Sequence, residues 1–305
     1  MSDNEKIATR CGLVTIIGRP SVGKSTFLNT VCGGKVSIVS AIPQTTRNTI
    51  RGILTRGNAQ ILFLDTPGLH KSEKKFNEAL HAISVNSLTD SDCVLYIIDS
   101  TRSMGEEEEH IIQLLQEQNV QEKLFVALNK VDSDLSKTGL ILVSLERAFP
   151  NLKDKNRIFE ISAKEKQQVD AVIDALISIL PESPFLYPED FYTDQDIRFR
   201  IAEIIREKAM LHTRDEIPHA LYVSVDELKL HHNGKELEAT AFIYVERESQ
   251  KGIVVGKDGM CIKAIKKESI RELRNIFDYK LNIHIQVKLD KDWRKNDKRI
   301  DAIIY

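Results

Sequence analysis

The sequence predicts an α/β domain built on a mostly parallel sheet with helices on both faces, followed by a smaller α+β domain. Three observations predict it. Over the first 180 residues, short runs rich in β-branched residues alternate with segments of helical spacing. One of those runs feeds a glycine-rich loop that opens directly into a helix. Beyond a proline-dense stretch the order changes to α-β-β-α-α-β. The strand-like runs fall at 13–18, 50–54, 61–65, 94–99, 124–129 and 157–161. Helical spacing occupies 24–31, 76–88, 107–117, 139–148 and 169–180. Apolar strands joined through helices favour parallel pairing, because each crossover returns the chain to the same end of the sheet.

Pro181, Pro184 and Pro188 fall within eight residues, a composition that suits an extended connector. The expected division is therefore 1–180 for the first domain, 181–190 for a linker and 191–305 for the second domain. In the second domain, 197–211 carries a helical apolar stripe of Ile197, Ile201, Ile204, Ile205 and Ala209. Two alternating segments, 220–228 and 238–246, flank His232-Asn233-Gly234, and Asn-Gly is a hairpin signal. A glycine-bounded stretch at 252–259, a helix over 261–277 and a strand over 281–289 complete the order.

Composition narrows the function classes. The 305 residues are 42% hydrophobic and 29% charged, ordinary for a folded globular chain. No apolar run approaches the roughly 20 residues that span a bilayer, and the first ten residues lack the apolar core of a signal peptide. Cys11, Cys32, Cys93 and Cys261 are far apart, without a CxxC pair, so free thiols are expected rather than a zinc site or a disulfide frame. These features predict a soluble, cytoplasmic protein. Charge is segregated: residues 251–305 hold 14 Lys and Arg against 8 Asp and Glu, net +6, on a chain whose total is −2. A polyanion-binding surface confined to one end follows as an expectation.

Gly18-Arg19-Pro20-Ser21-Val22-Gly23-Lys24-Ser25, continued by Thr26, matches GxxxxGK[ST] between a strand and a helix, the context that the motif requires. Backbone N–H groups of such a loop wrap phosphates, and the helix N-terminus adds a favourable field. Lys24 is expected at the β/γ-phosphates and the Ser25 hydroxyl on Mg²⁺. Asp65-Thr66-Pro67-Gly68 ends another strand, where the acid can approach Mg²⁺ through water and the Gly68 amide can meet a γ-phosphate. Asn129-Lys130-Val131-Asp132 ends a third, at the carboxyl edge where doubly wound sheets bind ligands. Asp132 can accept from N1–H and the exocyclic amine of guanine, a donor pair that adenine lacks, which opposes an ATP-dependent kinase. Ser162-Ala163-Lys164 closes over the base. Leu69 follows the Gly68 position where Ras-like proteins carry a water-orienting glutamine. Its alkyl side chain cannot orient a water, so slow intrinsic hydrolysis is expected.

In the second domain Gly256-Lys257-Asp258-Gly259 forms a GxxG loop between helical segments, as in KH domains that clamp about four single-stranded nucleotides. Ile253, Val254 and Ile262 are expected as an apolar floor for bases, and Lys257, Lys263, Lys266 and Lys267 as phosphate partners. Asp258 opposes those phosphates. Trp293 is expected to close the small core rather than to stack on a base.

GRPSVGKS, PQTTR (43–47), DTPG, NKVD and SAK together resemble the Era family of GTPases, and the similarity continues through LYPEDFYTD, the helix after it and the terminal DWRKNDKR. The resemblance implies a type II KH domain and a switch loop in which Thr46, or else Thr45, completes Mg²⁺ coordination in the GTP state. Lys24, Thr46 and Gly68 are then the residues expected to act in catalysis. It further implies a GTP-hydrolysing switch, acting as a monomer, that cycles between GTP and GDP and binds 16S ribosomal RNA near its 3′ end during assembly of the 30S subunit. Peripheral attachment to the inner membrane is a second implication. The alternative reading is a membrane-surface signalling GTPase whose basic segment binds anionic lipid, although no amphipathic helix with exposed Trp, Phe and Leu supports it. Related GTPases carry asparagine at the fourth loop position, where it helps hold K⁺. Ser21 stands there in this chain, so only weak potassium stimulation is expected.

Overall fold

A computed structural model of the chain describes residues 8–40, 42, 45–68, 75–152, 156–232 and 234–303. Two compact units emerge. One comprises Met1–Ser37 with Thr46–Asp194, the other Ile38–Thr45 with Gln195–Tyr305.

The first unit is an α/β sandwich. Its strands are β1 (Arg10–Ile17), β2 (Ile50–Arg56), β3 (Ala59–Asp65), β4 (Cys93–Asp99), β5 (Leu124–Asn129) and β6 (Ile158–Ile161). Its helices are α1 (Lys24–Cys32), α2 (Lys75–Asp90), α3 (Glu106–Glu117), α4 (Thr138–Ala148) and α5 (Val169–Ile179). The sheet order is β2-β3-β1-β4-β5-β6; β2 runs antiparallel to β3 and every other neighbouring pair is parallel. Every residue of β3, β4 and β5 is buried, as continuous apolar runs covered on both faces require. In α5, Val169, Val172, Ile173 and Leu176 are buried at helical spacing. Register places Asp65 opposite Ile16 and Asn129 opposite both Asp99 and Ile161. The carboxyl ends of β1, β3, β4 and β5, each followed by a sequence motif or an acid, therefore form one edge.

The proline-rich stretch is not a free connector. Ser183 N–H donates to Thr9 O at 3.0 Å. The Gln60 side chain accepts from the amides of Leu186 and Tyr187 at 2.9 and 3.0 Å and donates to Tyr187 O at 2.9 Å. Asp194 pairs with Arg51 of β2. A buried glutamine thus converts three prolines' worth of extended chain into a fitted strap on its own unit.

The second unit has helices α6 (Ile197–Leu211), α7 (Ile217–Ala220), α8 (Glu248–Val255), α9 (Met260–Leu273) and α10 (Asp297–Ile303), and strands β7 (Tyr222–His231), β8 (Glu236–Val245) and β9 (Lys280–Leu289). Asp196 caps α6 by accepting from Arg198 N–H at 2.7 Å. The sheet is mixed, β7-β8 antiparallel and β8-β9 parallel. Odd-numbered residues of β8 (Leu237, Ala239, Ala241, Ile243, Val245) face the core, which also holds Ile201, Ile205, Val254, Ile265 and Leu273 from the helices. Ile38 belongs to the same core, Val39 N–H donates to Glu207 Oε1 at 2.8 Å, and Arg206 donates to Thr45 O. The Asn-Gly signal sits in the β7–β8 turn, where Gly234 has φ 83°; Asn233 lies outside the described residues. The small helix α10 is an addition to the order expected from the sequence.

Trp293 is fully buried, donates its indole N–H to Ala220 O at 3.0 Å and meets the Tyr222 ring edge-on at 5.1 Å. Trp293→Ala should therefore cost about 3–5 kcal/mol of stability, read as a lowered denaturant midpoint of the second unit by circular dichroism. An unchanged midpoint would mean that the ring is dispensable to the core.

Candidate functional site

The loop from β1 to α1 is held in an unusual backbone path by its own residues and by two distant ones. Ser21 has φ 63° and Gly23 φ 107°. A Cβ at Gly23 would lie 2.2 Å from Asn129 Nδ2, so glycine is needed there for space as well as for conformation. Asn129 donates through Nδ2 to Val22 O at 2.8 Å and accepts through Oδ1 from Ala163 N–H at 2.9 Å. Lys130 Nζ donates to Ser21 O at 2.9 Å and to Asp99 Oδ2 at 2.6 Å. Burial alone would raise the Asp99 pKa, but the hydrogen bonds from Lys130 and Thr101 bring it below its ordinary value. Three motifs far apart in sequence are thereby fastened to one another.

Lys24 is 6% exposed, and its ammonium donates to Gly18 O at 2.9 Å and Arg19 O at 3.0 Å. Burial pushes its pKa down to about 8, against the opposing charges of Asp65 and Glu108. Ser25 Oγ donates to Asp65 Oδ2 at 2.7 Å and lies 3.1 Å from Thr46 Oγ1. Ser37 Oγ donates to the same Asp65 oxygen at 3.1 Å. Burial raises the Asp65 pKa, with Lys24, Ser25 and Ser37 opposing it. Asp65 Oδ1 is buried and has no hydrogen-bond partner among the described residues. An orphaned carboxylate oxygen beside two hydroxyls is the hard oxygen set that suits Mg²⁺. Among the described residues no cluster of three His, Cys, Asp or Glu could hold a metal on its own.

Of the two threonines, Thr46 is the one beside Ser25; the Thr45 hydroxyl donates to Ile42 O at 2.6 Å. Thr66 is buried and donates to Ile16 O at 2.8 Å, which fixes the end of β3 to β1. Gly68 abuts Pro20: a Cβ there would lie 2.8 Å from Pro20 N. Pro67 O accepts from Ser84 at 3.1 Å. Leu69, with Pro43 and Gln44 of the switch loop, lies outside the described residues.

On the base side, Asp132 is exposed after β5, while Ser162 and Ala163 are buried and Lys164 is exposed. Glu165 chiefly, and Asp132 further, raise the Lys164 pKa. Val131 N–H donates to Ile161 O at 3.2 Å, and Thr30 of α1 donates to Ala163 O at 2.8 Å. Thr26 lies half-buried on the first turn of α1, and Val22 is fully buried, so only its backbone is offered to a ligand. Ser37, Asp99 and Thr30 are part of this architecture, although no sequence motif singles them out. Asp99 has a legible signal, an acid ending an apolar strand; Ser37 and Thr30 have none.

In the second unit Gly256 and Gly259 have φ 73° and 71°, and Asp258 between them has φ 53°. The two glycines differ in kind. A Cβ at Gly256 would come 2.7 Å from Cys261 Cβ, whereas one at Gly259 would meet nothing nearer than Lys263 Cε at 3.8 Å. Gly256 packs the loop onto α9; Gly259 leaves its face open. Lys257, Asp258, Lys263 and Lys267 are exposed, Ile262 and Lys266 half-buried. Ile253 is 54% exposed, as a surface floor requires, but Val254 is 0% exposed. Val254 is therefore a correction: successive residues of α8 point in different directions, and this one enters the core beneath the loop.

A family model described as 50S ribosome-binding GTPase matches residues 13–130, and one described as KH domain matches 216–294. GTPase Era of Treponema denticola is 54% identical over 96% of this chain and 99% of its own length. The chain belongs to the GTPase Era family. GTPase Era of Borreliella afzelii is 43% identical over 97% of the chain and 99% of its own length. Among solved structures, Era in complex with MgGDPNP and nucleotides 1506–1542 of 16S ribosomal RNA superposes with a TM-score of 0.90 at 33% identity, covering 97% of this chain and 98% of that one. A single-residue variant of Aquifex aeolicus Era bound to GDP·AlF4⁻ gives the same TM-score and identity, covering 97% and 99%. The Era fold, a P-loop GTPase domain followed by a KH domain, is thus the fold of this chain.

Proposed function

We propose that this chain is a GTP-hydrolysing switch that binds single-stranded 16S ribosomal RNA near its 3′ end and serves small-subunit (30S) assembly in the cytoplasm. The observation that carries the reading is the near-complete match to an Era captured with a GTP analogue, magnesium and that RNA together. The local geometry agrees with it. Lys24 offers a charge at the mouth of a loop whose amides wrap phosphates, and Gly68 abuts that loop at Pro20. Ser25, Thr46 and Asp65 would hold Mg²⁺, the acid through water, and the ion would supply neutralisation of phosphate charge. Asp132 reads guanine, Asn129 ties the base loop to the phosphate loop, and Ser162–Lys164 close the base side. Ile253, Ile262, the GxxG loop and Lys257, Lys263, Lys266 and Lys267 receive RNA. Among the described residues no helix is long and apolar enough to cross a membrane, and peripheral membrane attachment rests on the family resemblance and on the net +6 charge of residues 251–305.

Base choice is the first test. Asp132→Asn should weaken GTP binding by about 1.5–3 kcal/mol or more and raise affinity for xanthosine triphosphate, whose 2-oxo group needs a donor. Calorimetric titration with both nucleotides reads it, and unchanged GTP affinity would remove Asp132 from the site.

Potassium provides the second. Ser21 offers one short hydroxyl at φ 63°, a conformation that asparagine also tolerates. The natural chain should show weak potassium over sodium stimulation of hydrolysis, and Ser21→Asn should strengthen it. A strong dependence in the unaltered protein would mean that loop backbone suffices to hold the ion.

RNA binding is tested at Gly259, where an added side chain meets no close neighbour. Gly259→Asp places a second carboxylate beside Asp258 on the open face. Filter binding of a 16S 3′-end oligonucleotide should fall, and its salt slope should flatten by roughly 0.7 log units per lost phosphate contact, while basal GTP hydrolysis persists. Retained affinity with an unchanged slope would assign the contacts to the basic segment instead of the loop.

A further inference from the structure

Arg19 belongs to the phosphate loop, yet it is only 7% exposed. Its Nε lies 2.6 Å from Oε1 of Glu108, and its Nη1 lies 3.7 Å from Glu107. Glu108 is itself 0% exposed, on the first turn of α3, although it is one of four consecutive glutamates that would ordinarily all be solvated. Its second oxygen accepts from the Tyr96 hydroxyl of β4. The 2.6 Å approach is a close ion pair between two buried groups, Arg19 Nε and Glu108 Oε1. A carboxylate is therefore anchored by the sheet and a helix, and it holds the loop's arginine by charge in a low-dielectric setting.

Such a buried pair gives little net stability over a well-packed apolar replacement, so its use lies elsewhere. Pro20, the next residue, abuts Gly68 of the strand-end motif. The turn that Arg19 secures thus lies against Gly68, the residue assigned to the third phosphate. Glu108 also lies near enough to Lys24 to favour its charged form.

We propose that Glu108 is a positioning residue for the triphosphate state: by holding Arg19 it fixes the turn at Gly18–Pro20 against which Gly68 and the γ-phosphate close. The proposal rests on the nucleotide reading above. It predicts selectivity between ligands, because GDP has no group on that side of the loop.

The test uses the full chain with magnesium and two ligands, GDP and the non-hydrolysable analogue GDPNP. Glu108→Gln keeps shape and an acceptor for Tyr96 but removes the charge. The double variant Arg19→Met, Glu108→Leu removes both buried charges, so that neither is left uncompensated. GDPNP affinity should fall about threefold to tenfold in the first and tenfold or more in the second, with GDP affinity within about threefold of wild type in both. The kcat for GTP should fall in both; the double variant should melt within a few degrees of wild type, whereas Glu108→Gln, which leaves the buried Arg19 charge without that partner, should melt lower. If the double variant does not fold, Glu108→Gln decides alone. Equal losses for GDP and GDPNP, or no loss for either, would overturn the proposal and leave the pair as structural. Failure of the unaltered protein to bind GDP would instead overturn the nucleotide reading, and the proposal with it.

Discussion

Burying the Lys24 ammonium at the head of α1 removes it from water, a cost that any protein must offset locally. Much of the first unit's active edge serves that end. Gly18 and Arg19 turn their carbonyls to it, Asp65 and Glu108 supply opposing charge, and the loop between takes positive φ values to allow the approach. The offset is incomplete, since the pKa remains lowered to about 8. An ammonium held in this condition gains from an added anion, and phosphate oxygens are the partner that the motif anticipates. Asp65, whose Oδ1 has no hydrogen-bond partner among the described residues, supplies part of the charge that opposes the loss of solvation.

The second unit meets a different demand with similar parts. Its loop carries exposed charges, Lys257 and Asp258, instead of a buried one. Gly256 is consumed by packing against Cys261, so Gly259 alone keeps space in front of the loop. Ile253 stays outside while Val254, one residue on, joins Ile265 and Leu273 in the core. The exposed face and the core are therefore alternate sides of the same short helix, and that face is only as rigid as the residues beneath it.

Most of this is legible in the sequence because the motifs are local. GxxxxGK[ST], DTPG, NKVD and GxxG each fix a backbone path within a few residues, and their strand-end positions follow from hydrophobic periodicity. What escapes such a reading depends on contacts between residues far apart in the chain. Four consecutive glutamates read as a solvated face, and nothing local says that the third is buried against Tyr96. Proline density reads as an extended connector, and nothing local says that Gln60 fastens it. Residues Ile38–Thr45 follow α1 in sequence but group with α6 through Ile38, Glu207 and Arg206, charged helix residues that composition would place in solvent among them. Spacing alone likewise could not place the Thr46 hydroxyl beside Ser25.

The clearance at Gly23 bears on how such a chain can change over generations. Asn129 Nδ2 occupies the place that any side chain at residue 23 would need, and it does so to hold Val22. A substitution at either residue alone leaves either a collision or an untied loop. The phosphate loop and the base loop, encoded far apart, are therefore inherited as one unit: mutational drift can alter the surfaces around them step by step, but a new nucleotide preference reached through this pair needs both changes at once. Asp132, by contrast, is exposed and outside that joint requirement.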